Sequence, residues 1–434
     1  MHRIVIVGGG AGGLELATRL GNRFGARQTA HIVLVDSHPT HLWKPVLHEV
    51  AAGSMDPFTH QLEYAAQAHW HHFEFRLGAL IGLNRSAKTI TLAAVYDANG
   101  AELLPSRELA YDTLVIAIGS VTHFFDVAGA QQYALALDTV AQAQACHQRL
   151  LTACMRAQAN LAQAAAPPRL QIAIVGGGAT GVELSAQLRQ TAQILAAYGV
   201  SPLDPKQICI AIIEAGPRIL PALPERVSKA TADLLAKLNI DIMVNEQVAS
   251  VSERALLTAS GKTLATDLTI WAAGIKAPAI LSQLDGLATN PRGQLKVRAT
   301  LQTESDPDIF AFGDCASCSW PEKKTTVPPR AQAAHQQANF LLRALTRRVK
   351  GASLPNFHYR DFGSLVSLGH FSAVGNLMGG IMGGNLLIEG LFARFMYTSL
   401  YRMHIAALHG FGWMVADTIA HWLRRSTAPK VKLH

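Results

Sequence analysis

The chain has 434 residues, of which 49% are hydrophobic and 16% charged, and its formal net charge is +8. This length predicts two or three domains, while the low charge and high apolar content exclude a disordered chain or a nucleic-acid-binding tail. Five scattered cysteines do not form a disulfide framework, which favours a reducing compartment. The first apolar run, residues 4–7, is far shorter than the core of a secretory signal, so we expect a buried strand there and no signal peptide.

An internal repeat organises the chain. Residues 4–20 and 172–188 are identical at 11 of 17 positions without a gap, and both predict a strand, a tight glycine turn and a helix. Two further segments, 111–119 and 266–274, are apolar strands that end in Ala-x-Gly. A single Gly-x-Gly-x-x-Gly motif can arise by chance in a glycine-rich loop. Two copies in the same context predict an α/β fold with two Rossmann-like dinucleotide-binding domains.

The first copy has the residue types that a dinucleotide requires. Its glycines permit a tight turn and the close approach of a pyrophosphate, which the N–H groups at the start of the next helix bind. Asp36 ends the following apolar run, 23 residues after Gly13, where a carboxylate accepts hydrogen bonds from a ribose diol. A turn cap is the alternative role for Asp36. The predicted cofactor contacts are Gly8, Gly10, Ala11, Gly12, Gly13 and Asp36.

The second copy repeats this chemistry. Glu214 ends the apolar run 208–213, where its carboxylate would accept from a 2′-hydroxyl and repel a 2′-phosphate, so NADH is favoured over NADPH. Arg218 leaves NADPH open, because a guanidinium there could bind the phosphate. The predicted contacts are Gly176, Gly178, Thr180, Gly181, Glu214, Ala273 and Gly274.

A third apolar strand ends at Gly313 and Asp314, and a helix is predicted at 330–350. After two nucleotide units, Asp314 is placed to bond the ribityl chain of a flavin. The N-terminal end of the helix would stabilise the anion that forms when a flavin accepts a hydride. Gly119, Asp314, Ala331 and Gln332 complete the predicted cofactor contacts.

These motifs, together with the sequence Ala-Gln-Ala-Ala-His-Gln at 331–336, resemble the flavoprotein reductases with two dinucleotide-binding domains. More narrowly, nearly the whole chain resembles the type II NADH:quinone oxidoreductases, single-subunit respiratory enzymes that do not pump protons. The resemblance implies non-covalent FAD in the first unit and NADH in the second. It places Gln332 and Gln336 at the quinone pocket, Glu183 at the nicotinamide–flavin contact, and Pro45 with its neighbour Lys44 against the flavin.

Several of these residues have structural alternatives. Glu183 is also favoured by the positive end of its helix, and Glu15 occupies the same place in the first copy. Lys44 could equally be a solvated lysine. No cysteine lies between 37 and 60, where disulfide reductases of this superfamily carry their redox pair.

The pair Cys315 and Cys318 supplies only two thiolates, whereas a structural zinc ion requires four ligands. We therefore expect these side chains to pack against the neighbouring cofactor loop. The 18 histidines show no spacing typical of a metal site, and we predict no metal.

The C-terminal section combines aromatic and basic residues. From 391 to 434 there are six Lys and Arg against one acid, Asp417, a net +5 of the total +8. This pattern is typical of an amphipathic helix at a membrane interface. A spanning helix at 403–423 is disfavoured because it would contain Asp417 and three histidines. A helix that forms a homodimer is the third interpretation.

The predicted domain ranges follow from these motifs. They are an FAD-binding domain in two parts (1–125 and 291–355), a helical connector (126–167), an NADH-binding domain (168–290) and a membrane-associating region (356–434). We expect electron transfer from NADH through FAD to ubiquinone or menaquinone, on the cytoplasmic face of the inner membrane and without nucleic acid. The alternatives are a sulfide:quinone or NADPH-dependent reductase, and a non-catalytic flavoprotein that senses NADH.

Overall fold

The computed structural model describes residues 1–160, 169–199, 204–368, 373–378, 385–389, 391–424 and 431. The predicted boundary at 167/168 lies outside these residues, as do Arg425, Lys430 and Lys432. The chain forms two compact units. Unit 1 contains Met1–Trp43, His60–Val121 and Ile275–Arg360, and unit 2 contains Lys44–Thr59, Thr122–Gly274 and Asp361–His434.

Each unit contains one five-stranded parallel sheet. The ten strands are β1 (His2–Val7), β2 (Ala30–Asp36), β3 (Glu74–Leu77), β4 (Thr113–Ile116), β5 (Ala134–Leu135), β6 (Leu170–Val175), β7 (Ile208–Ile213), β8 (Ile240–Met243), β9 (Leu268–Trp271) and β10 (Ile309–Ala311). The strand order is β10-β4-β1-β2-β3 in unit 1 and β5-β9-β6-β7-β8 in unit 2. The order of four strands is the same once β1 is matched with β6, so the sequence repeat is also a topological repeat. The fifth strand differs, because β10 follows the other four strands in the chain and β5 precedes them.

Eight of the α-helices are numbered in chain order. They are α1 (Ala11–Leu20), α2 (Leu47–Ala52), α3 (Val140–Asn160), α4 (Ala179–Ala197), α5 (Glu225–Lys237), α6 (Ala331–Val349), α7 (Leu391–His409) and α8 (Phe411–Arg424). Further short α-helices are Pro57–His60, Tyr64–Trp70 and Ala130–Tyr133. The helices predicted at 138–166 and 330–350 correspond to α3 and α6.

Small antiparallel sheets accompany the parallel ones. In unit 1, Leu80–Asn84, Thr89–Leu92 and Arg107–Ala110 form a three-stranded sheet, and Val95–Tyr96 pairs with Glu102–Leu104. In unit 2, Val248–Val251, Ala255–Thr258 and Thr263–Ala265 form another. The remaining short strands are Thr40–His41, Leu62–Glu63, Val121–Thr122, Ile275–Lys276, Leu295–Lys296, Ala316–Ser317, Ser319–Trp320 and Thr325–Thr326.

The central strands contain uninterrupted buried apolar runs, such as residues 32–35 of β2 and 172–175 of β6. Residues 4–7 of β1 are at most 2% exposed, and β4 is buried throughout. Such runs are typical of parallel sheets, in which the two faces cannot be distinguished by alternation. The predicted α/β dinucleotide-binding fold is therefore present.

Glycine is required at the two turns for reasons of space. A Cβ at Gly13 would lie 1.8 Å from the carbonyl oxygen of Gly8, and a Cβ at Gly181 would lie 2.0 Å from that of Gly176. Gly8 and Gly176 have φ of +106° and +108°. The same contact in both units shows that the third glycine of each motif permits the helix to pack closely on its own turn.

Unit 2 includes residues 44–59, a segment that the sequence analysis assigned to the first domain. Helix α2 packs against α3 and α4, which accounts for this placement. The predicted helical connector (126–167) also contains a strand, β5, which pairs with β9 in the sheet of unit 2.

Among the described residues between 363 and 389, the C-terminal region forms strands. The strands Gly363–Ser367, Ala373–Met378 and Asn385–Glu389 form an antiparallel sheet, and two helices follow. Gly410, at φ +85°, separates α7 from α8, so residues 403–423 do not form one continuous helix. Among the helices of the described residues, none combines the length and apolarity required to cross a membrane.

Candidate active site

The predicted contacts of unit 1 lie along one edge of its sheet. Gly8 follows β1, Asp36 ends β2, Gly119 follows β4 and Asp314 follows β10. Because these strands are parallel and adjacent, their carboxyl ends meet at the same edge. This edge is where open α/β sheets bind their ligands.

The carboxylate of Asp36 is fixed by backbone N–H groups. Its Oδ2 accepts from Gly9 at 2.6 Å, and its Oδ1 accepts from His38 at 2.9 Å. Asp36 thus caps its own turn and also holds the glycine turn. Each carboxylate oxygen has a second lone pair with which it can accept from a ribose hydroxyl.

The glycine turn of unit 1 leaves space for a pyrophosphate. A Cβ built at Gly10, the residue before α1, meets no atom within 4 Å, whereas one at Gly8 or Gly13 meets backbone below 3 Å. The first N–H groups of a helix have no partner within it and attract anions. The site therefore fits the diphosphate of FAD, with Ala11, Gly12 and Gly13 in the first turn of the helix.

Asp314 is oriented by two neighbours. Its Oδ2 accepts from the hydroxyl of Ser120 at 2.7 Å, and its carbonyl accepts from the side chain of Gln294 at 2.9 Å. The preceding Gly313 N–H donates to Gln337 on α6 at 2.8 Å. The loop predicted to hold the ribityl chain is thereby fixed to the helix that carries Gln332.

Glu214 in unit 2 reproduces the arrangement of Asp36. Its Oε2 accepts from the Gly177 N–H at 2.7 Å, and its Oε1 accepts from the Gly216 N–H at 2.7 Å. The glycine before α4 is again open, because a Cβ at Gly178 meets nothing within 4 Å. Thr180 is exposed in the first turn of α4.

Arg218 donates to two backbone carbonyls, those of Leu220 at 3.1 Å and Pro221 at 2.9 Å. These bonds give its guanidinium a structural role in the loop after β7. Ribose binding by the carboxylate of Glu214, and with it the choice of NADH over NADPH, stays a prediction.

Glu183 lies in the second turn of α4 and is 7% exposed. Its Oε1 accepts the Ser367 N–H at 3.0 Å, and its Oε2 lies 3.8 Å from Nδ1 of His48. Since a carbonyl can only accept, the 2.8 Å contact from His48 Nδ1 to Pro45 fixes the proton on Nδ1. Burial lowers the pKa of His48 to about 4, so the imidazole beside Glu183 is neutral.

His48 and Ser367 are neighbours of Glu183 that the sequence did not reveal. They lie 135 residues before it and 184 residues after it in the chain, and no motif connects them. Nε2 of His48 is buried, and among the described residues no hydrogen-bond partner for it is found. A neutral histidine whose acceptor nitrogen lacks a donor favours a polar ligand atom or water in this pocket.

Lys44 and Pro45, predicted to lie against the flavin, are both exposed. Nζ of Lys44 lies 2.9 Å from Oδ1 of Asp138, whose other oxygen accepts the Thr122 N–H. The structure thus gives Lys44 an ion-pair partner, and a role at the flavin stays a prediction for both residues.

Helix α6 carries Ala331, Gln332 and Gln336 near its N-terminal end, and all three are half-buried. The side chain of Gln336 donates to the carbonyl of Arg360 at 2.8 Å and accepts the N–H of Arg360 at 3.0 Å. Both atoms of this amide are therefore engaged with backbone. Gln336 fixes the end of unit 1, a role that the sequence did not suggest.

A second group of polar residues joins α6 to α1. Nδ1 of His335 lies 2.7 Å from Oε2 of Glu15, and Nε2 of His335 lies 3.0 Å from the amide nitrogen of Asn339. Arg19 completes the group, with contacts to Glu15 at 2.8 Å and to the amide oxygen of Asn339. In the sequence, Glu15 is distinguished only by its position, which matches that of Glu183 in the second copy of the repeat.

The five cysteines are free thiols. Burial raises the pKa of Cys315 to about 12 and that of Cys318 to about 11, so both side chains are protonated near neutral pH. Both side chains are buried, and Sγ of Cys315 lies 3.2 Å from the carbonyl oxygen of Phe312. In the part of the chain that the structure describes, no group of three or more His, Cys, Asp or Glu side chains is arranged to hold a metal ion.

The chain is similar to known proteins both in sequence and in fold. Residues 2–338 match the family model of pyridine nucleotide-disulphide oxidoreductases. The type II NADH:quinone oxidoreductase of Haemophilus influenzae is 41% identical over 445 residues, which cover 100% of both chains. The enzyme of that type called NdhA in Mycobacterium tuberculosis is 26% identical over 95% of this chain and 86% of its own.

Solved structures show the same fold at lower identity. NDH2 from Plasmodium falciparum, solved in complex with NADH, has a TM-score of 0.80 at 19% identity and covers 99% of this chain and 100% of its own. The sulfide:quinone oxidoreductase of Aquifex aeolicus has a TM-score of 0.71 at 18% identity, covering 100% of this chain and 96% of its own. Fold alone does not separate the two activities, but the 41% identity over the full length does. The chain belongs to the type II NADH:quinone oxidoreductases.

Proposed function

We propose that this chain oxidises NADH with a non-covalently bound FAD and passes the electrons to a membrane quinone, with unit 1 holding FAD and unit 2 holding NADH. The observation that supports this assignment is the repeated carboxylate. The carboxylate of Asp36 accepts the N–H groups of Gly9, in the glycine turn, and of His38. The carboxylate of Glu214 likewise accepts the N–H groups of Gly177 and Gly216. When bound, FAD accepts two electrons from the nicotinamide and donates them to the quinone.

The chain's own residues bind and orient the two nucleotides. The first turns of α1 and α4 bind the pyrophosphates, Asp36 and Glu214 accept from the ribose hydroxyls, and Asp314 accepts from the ribityl chain. Glu183 is the proposed proton-handling group, because its carboxylate is buried and held by the Ser367 N–H beside a neutral His48. Gln332 is proposed to contact the quinone, and Gln336 to maintain the pocket wall by holding Arg360.

The chemistry is tested anaerobically in one cuvette. NADH should bleach the flavin absorbance rapidly, NADPH should do so poorly, and a short-chain quinone should restore it. Bleaching without recovery would contradict the quinone half of the proposal. Bleaching by sulfide but not by NADH would favour the sulfide:quinone alternative, and NADH binding without bleaching would favour a sensor.

We further propose that α8 attaches the protein to the cytoplasmic surface of the inner membrane. Phe411, Val415, Ile419 and Leu423 follow one another at intervals of four and are between 38% and 73% exposed. This spacing aligns them along one side of the helix. An apolar stripe next to the basic end of the chain is typical of a helix in a membrane interface.

Membrane attachment is tested by sedimentation with phosphatidylglycerol-containing vesicles. The double variant Val415→Ser, Ile419→Ser should lose most vesicle binding and retain turnover with a water-soluble quinone. Its matched control is Leu103→Ser, Leu104→Ser, which removes two exposed leucines from the strand Glu102–Leu104 of unit 1. If the double variant sediments normally but changes from dimer to monomer in light scattering, α8 forms a homodimer instead.

A further inference from the structure

Phe125 and Asp126 are two consecutive residues with left-handed backbone, at φ of 52° and 55°. This conformation is costly for a residue with a bulky side chain and persists only where the surroundings enforce it. Phe125 is also 54% exposed, so its ring is not buried in compensation. A strained backbone that holds an aromatic ring in solvent requires another explanation.

Three contacts fix the preceding residues against the carboxyl end of β9. The N–H of His123 donates to the carbonyl of Gly274 at 3.2 Å, and Nε1 of Trp271 donates to the carbonyl of His123 at 3.0 Å. The rings of Phe124 and Trp271 lie 5.5 Å apart, and Trp271 is 2% exposed. The position of Phe125 is thus set by the core of unit 2.

The ring of Phe125 lies directly on Gly274. A Cβ at position 274 would be 2.3 Å from Cζ of Phe125, so any side chain there would displace the ring. Gly274 itself has φ +68°, which also favours glycine. The ring also contacts the imidazole of His123, with 4.3 Å between centroids.

The sheet topology shows which part of NADH reaches Gly274. Strand β6 leads into the glycine turn that binds the pyrophosphate, and its neighbours are β7 on one side and β9 on the other. Glu214, at the end of β7, receives the adenosine ribose. The nicotinamide half must therefore extend in the opposite direction, over the carboxyl end of β9, where Gly274 and Phe125 lie.

We propose that Phe125 is a positioning residue for the nicotinamide half of NADH, and that its ring forms an aromatic wall beside Gly274. The proposal rests on the assignment of NADH to unit 2. The left-handed backbone keeps the ring at the ligand edge, and the absence of a side chain at 274 lets the tip of the ring approach the strand end. Aromatic contacts of this kind favour a ring or ribose packed against them.

The test compares two ligands that share adenosine and pyrophosphate. NAD⁺ carries the nicotinamide, whereas ADP-ribose does not. In calorimetric titrations of the FAD-loaded enzyme, Phe125→Ala should weaken NAD⁺ binding about two- to tenfold and leave ADP-ribose binding unchanged. Phe125→Gly should do the same while melting no lower than the wild type, because glycine relieves the left-handed backbone.

Phe58→Ala is the matched control, since Phe58 is an exposed phenylalanine of the same unit at 75%. It should change neither titration. Equal weakening of both ligands, or no change in either, overturns the role of Phe125. If the wild-type protein binds neither NAD⁺ nor ADP-ribose, the assignment of NADH to unit 2 fails instead.

Discussion

Nδ1 of His335 lies 2.7 Å from Oε2 of Glu15, so the helix that carries the two glutamines is tied to the helix that begins at the first glycine turn. Nδ1–H donates to Glu15, Nε2 accepts from Asn339, and the oxygen of Asn339 accepts from Arg19. Glu15 is 1% exposed and depends on these partners.

We expect His335→Leu to destabilise the protein by about 1–3 kcal/mol, because the buried carboxylate of Glu15 loses one of its two partners. Looser packing of α6 should raise the KM for quinone and leave the rate of flavin reduction by NADH unchanged. Denaturant unfolding and half-reaction kinetics measure the two effects. The control is His31→Leu, which removes a surface pair with Glu74 that should contribute about 0–1 kcal/mol. Equal losses of stability in both variants would argue against a stabilising contact between His335 and Glu15.

The second prediction concerns the choice of dinucleotide. Glu214→Gln retains the shape of the side chain but removes the charge that repels a 2′-phosphate. The ratio of kcat/KM for NADPH to that for NADH should rise about tenfold. Arg218→Ala should change the same ratio less than about twofold, because its guanidinium already donates to two backbone carbonyls. A marked loss of NADPH use in Arg218→Ala would mean that the guanidinium leaves those carbonyls to bind the phosphate.

The third prediction concerns pH. Burial raises the pKa of Glu49, on α2, from 4.5 to about 7. Between these values the folded chain binds more protons than the unfolded chain, so stability from this group falls as the pH rises from about 4.5 through 7. Glu49→Gln removes the titration. Its melting temperature should equal that of wild type at pH 5 and exceed it by about 2–5 °C at pH 8.

A melting-temperature difference that is the same at both pH values would contradict the raised pKa of Glu49. Thr59→Val serves as a control on a nearby exposed residue of the same unit, for which no dependence on pH is expected.

The sequence alone was sufficient for the two nucleotide units. A parallel strand, a glycine turn and a helix are consecutive in the chain, so their order is visible in the sequence. Few residues other than glycine fit a turn that binds a pyrophosphate, so the roles of Gly13 and Gly181 could be inferred from the sequence. Asp36 and Glu214 follow at a spacing that strand and helix lengths dictate. The strand that ends at Asp314 already indicated a flavin, and the resemblance to a family then supplied the quinone and the role of Glu183.

Only the tertiary structure decided the contacts between distant segments. The neutral His48 and the Ser367 N–H beside Glu183, the bonds of Gln336 to Arg360, and the strained Phe125 on Gly274 all join residues that no periodicity relates. Hydrogen bonds and desolvation depend on atoms a few ångströms apart, and such distances arise from packing and not from spacing along the chain. The sequence likewise left two roles open for Arg218, and the structure shows that its guanidinium donates to the backbone carbonyls of Leu220 and Pro221.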